Sequence, residues 1–247
     1  MRALFVGRPL SRMEKVLQGL VVGVKDRGDF DKYLTLITEE GKKNCMIKGV
    51  RRASSKLRFA GELFSLCEFT LVSGHGVPVV TNAYHLSLNY ELRTDYERFL
   101  AAAAVARLSE EFCAEQDETF LPFLLASLEF VKADERLGLV RFVLGLFERS
   151  GYALDLSVCA VCGGKIGEKA FYSTSASGLT CAGCGGQPVR AGVLDLLRRA
   201  QSGTLSETGE QADFTLGALR LLAYHLNGVS ENAGVLDETL AAFKKII

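Results

Sequence analysis

From Val16 to His85, apolar and polar residues alternate over short stretches broken by Gly, Asp and Pro, and this period of two predicts strands. Val16–Val24 and Tyr33–Thr38 flank a turn at Gly28-Asp29, and Glu40-Gly41 turns the chain into a third strand, Asn44–Val50. A fourth strand, Leu66–Ser73, and a fifth, Val77–Tyr84, flank Gly74-His75-Gly76. Five short antiparallel strands in about 70 residues suit a small closed barrel, OB-like or SH3-like, and periodicity does not separate the two.

After Asn89 the period becomes helical. Tyr96, Phe99, Leu100 and Ala103 share one face, and Leu121, Leu124, Leu125 and Leu128 repeat that spacing in a helix from Thr119 to Lys132, with Pro122 near its start. Between Glu135 and Arg149, Leu137, Val140, Leu144 and Phe147 form one stripe and Leu139, Val143 and Leu146 another. That helix is apolar nearly all round, belongs at the centre of a helical domain, and stops at Gly151. A short helix at Val193–Arg199 precedes a polar linker, Thr204–Gln211. A longer helix then starts from Asp213 as N-cap, with Leu216, Leu219, Leu222, Ala223 and Leu226 inside and Asn227-Gly228 as its stop. The fold class expected is α+β and multidomain. Residues 1–12 form an arm, 13–86 the barrel, and 87–247 a helical domain carrying a cysteine module at about 157–188.

Composition adds that the chain is globular, with 48% hydrophobic and 23% charged residues over 247 positions. The most apolar run, Leu137–Phe147, contains Arg141 and falls far short of the roughly 20 residues a bilayer span needs. No secretory h-region follows the amino terminus, so a cytoplasmic location is expected. The net charge is zero, but it is unevenly spread: up to His85 stand 14 basic and 8 acidic residues, and after it 15 and 21. A basic first third beside an acidic remainder points to a polyanion as the partner of the first part.

Seven cysteines in a reducing compartment are read as metal or catalytic groups where they cluster, and as small buried hydrophobes where they do not, as at Cys45, Cys67 and Cys113. Four cluster. Cys159-Ala-Val-Cys162 and Cys181-Ala-Gly-Cys184 are two CxxC pairs 18 residues apart, a four-thiolate zinc pattern in which each pair chelates from one tight turn. Gly163-Gly164 and Gly183, Gly185 and Gly186 supply the turns. Four thiolates close the coordination shell, so one structural Zn2+ held by Cys159, Cys162, Cys181 and Cys184 is expected. No His-x-Glu and Pro-Cys-x-x-Cys of a zinc deaminase is present, and neither pair opens the helix of a βαβ unit as a redox dithiol would.

A second constellation is basic. Lys42, Lys43, Lys48, Arg51, Arg52, Lys56 and Arg58 stand within 17 residues without one acid. As a bland solvated loop the run would mean nothing. Beside a barrel strand in the basic third, a flexible loop of this kind grips phosphates without reading bases. Phe30, Tyr33, Phe59 and Phe64 are either stacking platforms or core. The P-loop, zincin, nucleophile-elbow and dinucleotide fingerprints are absent, and His75, His85 and His225 have no nucleophile or carboxylate partner that can be named. The expectation is a protein that is not an enzyme.

The chain resembles the RecO family of bacterial DNA repair and recombination mediators. The resemblance rests on Gly19-Leu-Val-Val-Gly-Val-Lys-Asp-Arg-Gly-Asp-Phe-Asp-Lys-Tyr-Leu-Thr-Leu-Ile-Thr-Glu-Glu-Gly41, Lys48-Gly-Val-Arg-Arg52, Phe64-Ser-Leu-Cys-Glu-Phe69, and Glu148-Arg-Ser-Gly-Tyr-Ala-Leu-Asp-Leu-Ser-Val-Cys-Ala-Val-Cys-Gly163. It covers about Met13 to Arg199 and leaves residues 1–12 as an upstream start or extra arm. It implies an amino-terminal OB-fold, a helical domain with a four-cysteine zinc module, binding to single- and double-stranded DNA, and strand annealing. RecR and the single-stranded-DNA-binding protein are the partners it implies, with RecA reached indirectly through its loading, and the nucleoid as the place of work. The family's basic strand and loop falls on Lys48, Arg51 and Arg52, and its zinc ligands on the four clustered cysteines.

One partner site is expected on the Thr119–Lys132 helix. Phe120, Phe123 and Phe130 point away from its leucine stripe, and a groove they lined could take the acidic, apolar-tipped tail of the single-stranded-DNA-binding protein, with Lys132 and Arg136 as cations. The rival reading is a zinc-ribbon protein with an OB-like domain that binds or modifies RNA.

Overall fold

The computed structural model describes residues 13–73, 76–205, 210–230 and 234–245. The expected arm 1–12, His75 and part of the Thr204–Gln211 linker lie outside them. The chain divides into two compact units. One is the segment up to Asn89 together with Cys113–Leu121, and the other is Tyr90–Phe112 with the chain from Pro122 onward.

The first unit is a closed five-stranded barrel in the order β1-β2-β3-β5-β4, built from β1 (Met13–Arg27), β2 (Asp31–Thr38), β3 (Gly41–Ile47), β4 (Leu66–Ser73) and β5 (Val79–Ser87). It is compatible with an OB-like fold. Alternation fills it: Leu34 and Leu36, Cys45 and Ile47, and Cys67, Phe69 and Leu71 point inward at every second position. β1 pairs with both β2 and β4, and its register shifts between Val21 and Gly23. That bulge changes the inward phase, so Leu17 and Val21 precede it and Val24 packs on the core after it.

The strand bounds differ from expectation, β1 running Met13–Arg27 rather than Val16–Val24, and two of the differences have a local cause. β3 occupies Gly41–Ile47 in place of Asn44–Val50, because pairing with β2 begins at Thr38↔Gly41, directly after the turn. Gly49, at φ 64°, takes the chain out of the strand, and its N–H donates to Asp31 Oδ1 at 2.8 Å. β5 starts at Val79, since Pro78 has no N–H for the ladder and instead accepts the Met46 N–H through its carbonyl at 2.8 Å. There β3 and β5 pair in parallel, Met46↔Val79 and Ile47↔Val80, and close the barrel.

The second unit is helical: α1 (Glu91–Thr94), α2 (Tyr96–Phe112), α3 (Phe120–Ala133), α4 (Glu135–Ser150), α5 (Ala191–Gln201), α6 (Ala212–Asn227) and α7 (Gly234–Phe243). As its pattern predicts, α4 is buried on all sides, from Leu137 through Phe147, and α2, α5 and α6 surround it. Asp134 caps it by accepting the Leu137 N–H at 2.9 Å, and Gly151 ends it at φ 77°. Asp213 is not an N-cap. α6 begins at Ala212 with Gln211 as the cap residue, which places the Asp213 carboxylate in the first turn, where the helix dipole favours it. The sequence reading has no helix at α7, and its helix boundaries at α2 and α5 fall short of the observed ones. No helix among the described residues is long and apolar enough to cross a membrane.

Candidate nucleic-acid interface and metal centre

The seven basic residues of the Lys42–Arg58 run are not brought together. Lys42 and Lys43 lie on β3 at its start, where Lys43 Nζ donates to the Glu115 carbonyl at 3.0 Å. Lys48 comes only after β3 ends, roughly 20 Å away at 3.4 Å per strand residue. Nor is the segment a flexible loop. Arg51 N–H donates to the Phe30 carbonyl at 3.0 Å, Arg52 N–H to Gly49 at 3.1 Å and Ser55 N–H to Arg52 at 3.0 Å, so the turn after β3 is folded onto the β1–β2 turn.

On that folded turn Lys48, Arg51, Arg52, Lys56 and Arg58 are exposed. They are not equivalent. Arg51 sits 3.2 Å from the Asp26 carboxylate and donates to the Gly28 carbonyl at 3.1 Å, which spends its charge inside the protein. Among the described residues, neither Lys48 nor Arg52 has an ion-pair partner. Arg52 lies over the Phe30 ring at 4.8 Å, and Arg27 lies over Tyr33 at 5.0 Å. Of the four aromatics considered as platforms, Phe64 is core and Phe59 packs half-buried against the barrel interior with the His85 ring edge on it. Phe30 is the exposed one, at 47%. Arg27 escaped the sequence reading, although it stands beside the predicted Gly28-Asp29 turn.

The cysteine module is a small structure in its own right. A bridge between Val158 and Lys165 carries the first pair, and a three-stranded sheet, β6 (Ala170–Ser173), β7 (Gly178–Thr180) and β8 (Gln187–Val189), carries the second between β7 and β8. Gly163 and Gly185, one residue after each pair, adopt φ 71° and 70°, the left-handed turn that lets N–H groups face the sulfurs. The four Sγ atoms all lie within 4.8 Å of one another, with Cys162 and Cys181 at 3.8 Å. Around one zinc with Zn–S bonds of 2.3 Å, tetrahedral sulfurs would stand about 3.8 Å apart.

The surroundings suit anionic sulfur. Backbone N–H groups of Cys162 and Cys181 hold the Cys159 thiol down to about 6, and those of Cys184 and Gly183 hold Cys181 below its ordinary value. Cys184, hydrogen-bonded by the neighbouring Cys162 and Cys181 side chains, is pushed up to about 12. The donor set can thus hold a metal ion that takes all four as thiolates. Cys45 and Cys67 behave oppositely. Burial pushes both thiols up to about 12 and keeps them protonated and inert.

Side chains outside the motif seat the module on the helices. Arg198 on α5 donates to the carbonyls of Leu156 at 2.9 Å and Ile166 at 3.0 Å, and His225 on α6 bonds through Nε2 to the Tyr152 carbonyl at 2.8 Å. Between β8 and α6 lies a cleft of about 480 Å3, lined by Tyr172, Arg190, Leu216, Arg220 and Tyr224 among others. The sequence reading missed this cleft, because its two walls are a strand of three residues and a helix that begins 23 positions after the strand ends.

The aromatics and cations expected to line a groove on α3 are engaged with other described residues. Phe123 stacks on Phe142 at 5.5 Å under Arg149, in space that the missing side chain of Gly145 leaves open, and Phe130 lies beneath Arg141 at 4.5 Å. Arg136 is bound bidentately to Glu97, both bonds 2.9 Å, and Lys132 pairs with Glu129 at 2.7 Å. Neither is a spare cation beside an apolar groove.

The chain thus carries a basic turn on a closed five-stranded barrel and, further on, a helical unit with a four-cysteine cluster that could hold a metal ion. Residues 13–87 match the family described as Recombination protein O N terminal, and residues 93–233 match Recombination protein O C terminal. The chain is 30% identical over 203 residues to the DNA repair protein RecO of Roseiflexus sp. (strain RS-1), covering 78% of this chain and 72% of that one. It is 28% identical over 221 residues to that of Rubrobacter xylanophilus, covering 85% and 89%. The chain belongs to the RecO family.

Proposed function

We propose that the protein is a non-catalytic mediator of recombinational repair that binds single- and double-stranded DNA, promotes annealing and assists RecA loading together with RecR. It would work in the cytoplasm on the nucleoid. The observation that carries the reading is the folded basic turn, where among the described residues Lys48 and Arg52 have no carboxylate partner and Lys56 and Arg58 extend the same exposed segment. Lys42 and Lys43, at the far end of β3, would hold a separate stretch of backbone. The four cysteines would hold one structural zinc, which keeps the module folded.

The test is a titration of single-stranded DNA, duplex DNA and RNA at rising salt. Log affinity for both DNA forms should fall linearly with log salt, and the Lys48→Glu, Arg52→Glu variant should flatten that slope. Arg51→Gln should matter less than Arg52→Gln, because Asp26 already neutralises Arg51. Binding to RNA in preference to both DNA forms would favour an RNA-binding protein instead.

For the acidic tail of the single-stranded-DNA-binding protein, the cleft between β8 and α6 is better built than α3. Arg190 and Arg220 stand beside Leu216 and Tyr224, so a carboxylate and an apolar side chain can be held together. A labelled tail peptide should bind the wild type and lose affinity for Arg220→Glu, while Lys132→Glu leaves it unchanged.

A further inference from the structure

At the end of the barrel the β1–β2 turn and the turn after β3 enclose a cleft of about 590 Å3, within the range of small-ligand sites. Its lining combines chemistry that a phosphate grip alone does not require. Met46 gives an apolar surface, and Arg27 stands beside it, lying over the Tyr33 ring at 5.0 Å. Phe30 is half exposed, and the Arg52 guanidinium lies over its ring at 4.8 Å. Lys48 also lines the cleft, with no ion-pair partner among the described residues. Two carboxylates line it as well. Asp31 is occupied by the Gly49 N–H, whereas no partner is found for Asp29 among the described residues.

An anionic phosphate in this cleft would find its cations offset by Asp29 and gain nothing from Phe30 or Met46. A planar base would gain from both, because guanidinium and aromatic faces extend a stack and a carboxylate accepts from an exocyclic amine. We infer that the cleft is a subsite for one unpaired nucleobase, stacked on the Phe30–Arg52 pair, with an amino-bearing edge on Asp29 and the flanking phosphates on Lys48 and Arg27. The inference rests on the nucleic-acid reading above and adds selectivity to it. In a duplex the faces and Watson–Crick edges of the bases are already taken, so the subsite serves single strands only.

The experiment measures binding of the full chain, by fluorescence anisotropy, to four labelled DNAs of equal length: oligo(dC), oligo(dT), an abasic single strand and a duplex. Wild type should bind oligo(dC) more tightly than oligo(dT) and far more tightly than the abasic strand. Phe30→Ala should weaken oligo(dC) binding about tenfold, leave the abasic strand and the duplex unchanged and keep the salt slope, and Phe30→Trp should restore affinity. Asp29→Asn, which adds a donor, should remove the preference for C over T. Equal binding of oligo(dC) and the abasic strand by the wild type, or an equal loss for duplex and single strand in Phe30→Ala, would overturn the subsite while leaving phosphate binding intact. Failure of the wild type to bind any of the four would overturn the nucleic-acid reading itself.

Discussion

In the barrel, thirteen buried residues from every strand and the turn after β3 form one continuous core, whereas in the cysteine module between Ser157 and Val189 few apolar side chains, chiefly Ile166, Ala170, Tyr172 and Leu179, are buried. The barrel therefore excludes water with side chains whose burial is worth roughly 1.5–3 kcal/mol each. The module has strands of three and four residues, too short to hold themselves, and four sulfurs converging on one point. With the proposed zinc bound its coherence would be chemical, while that of the barrel depends on volume. The two units should accordingly fail under different insults.

The largest effect is expected from attacking the sulfurs. Chelation, or Cys162→Ser, should release about one zinc per chain and lower the melting temperature of the helical unit by roughly 10 °C or more, with amide protection in the barrel strands retained. Metal analysis and hydrogen exchange read this out, and loss of protection in both units together would break the contrast. Next comes Phe69→Ala, which empties the middle of the barrel. It should cost about 3–5 kcal/mol in denaturant unfolding and leave metal content unchanged. A smaller loss, about 1 kcal/mol, is expected for Asp134→Ala, which removes the cap of α4, and circular dichroism melts should show it.

The smallest effect sharpens the contrast by pH. Asp155 accepts hydrogen bonds from the Ser157 hydroxyl at 2.7 Å, the Ser157 N–H at 2.8 Å and the Val158 N–H at 3.0 Å, just before the first cysteine. The Ser157 hydroxyl above all, then its N–H, holds the carboxyl below its ordinary value. A depressed carboxylate stabilises the fold above its unfolded pKa, and that contribution fades as pH falls through the folded one. Asp155→Asn should therefore flatten the acid limb of the module's stability curve slightly, measured by metal release between pH 5 and about 3, and leave the barrel's curve unmoved.

These differences also explain what was legible beforehand. The Leu66–Ser73 strand and the all-apolar α4 could be read directly, because side-chain alternation or a full apolar circumference is a property of the residues themselves. β3 could not be placed correctly: Gly41-Lys-Lys-Asn44 shows no alternation, and its strand character comes from partners such as Ile37 opposite Lys42. α7 carries Val235, Leu236, Leu240 and Phe243 at helical spacing and was open to the same test as the other helices. The cysteines announced their cluster through spacing alone. The cations did not announce their availability, since Arg51 and Arg52 are adjacent in sequence and only the fold puts Asp26 beside one and Phe30 beside the other.

The parallel seam between β3 and β5 consists of two residue pairs, Met46↔Val79 and Ile47↔Val80, whose partners are separated by 33 positions of chain. Every other junction of the barrel is an antiparallel ladder of seven or more pairs. Bringing such distant residues together costs loop-closure entropy that two pairs repay poorly, which makes this seam the last part of the barrel to close during folding and the first to part in thermal fluctuation. The Met46 amide should exchange its hydrogen for solvent faster than the Phe69 amide in the middle of β4. Lys48 follows the seam by a single residue, so the Gly49 bond to Asp31 and the Arg51 bond to Phe30, which lie outside the seam, are what hold the basic turn in place when the seam parts.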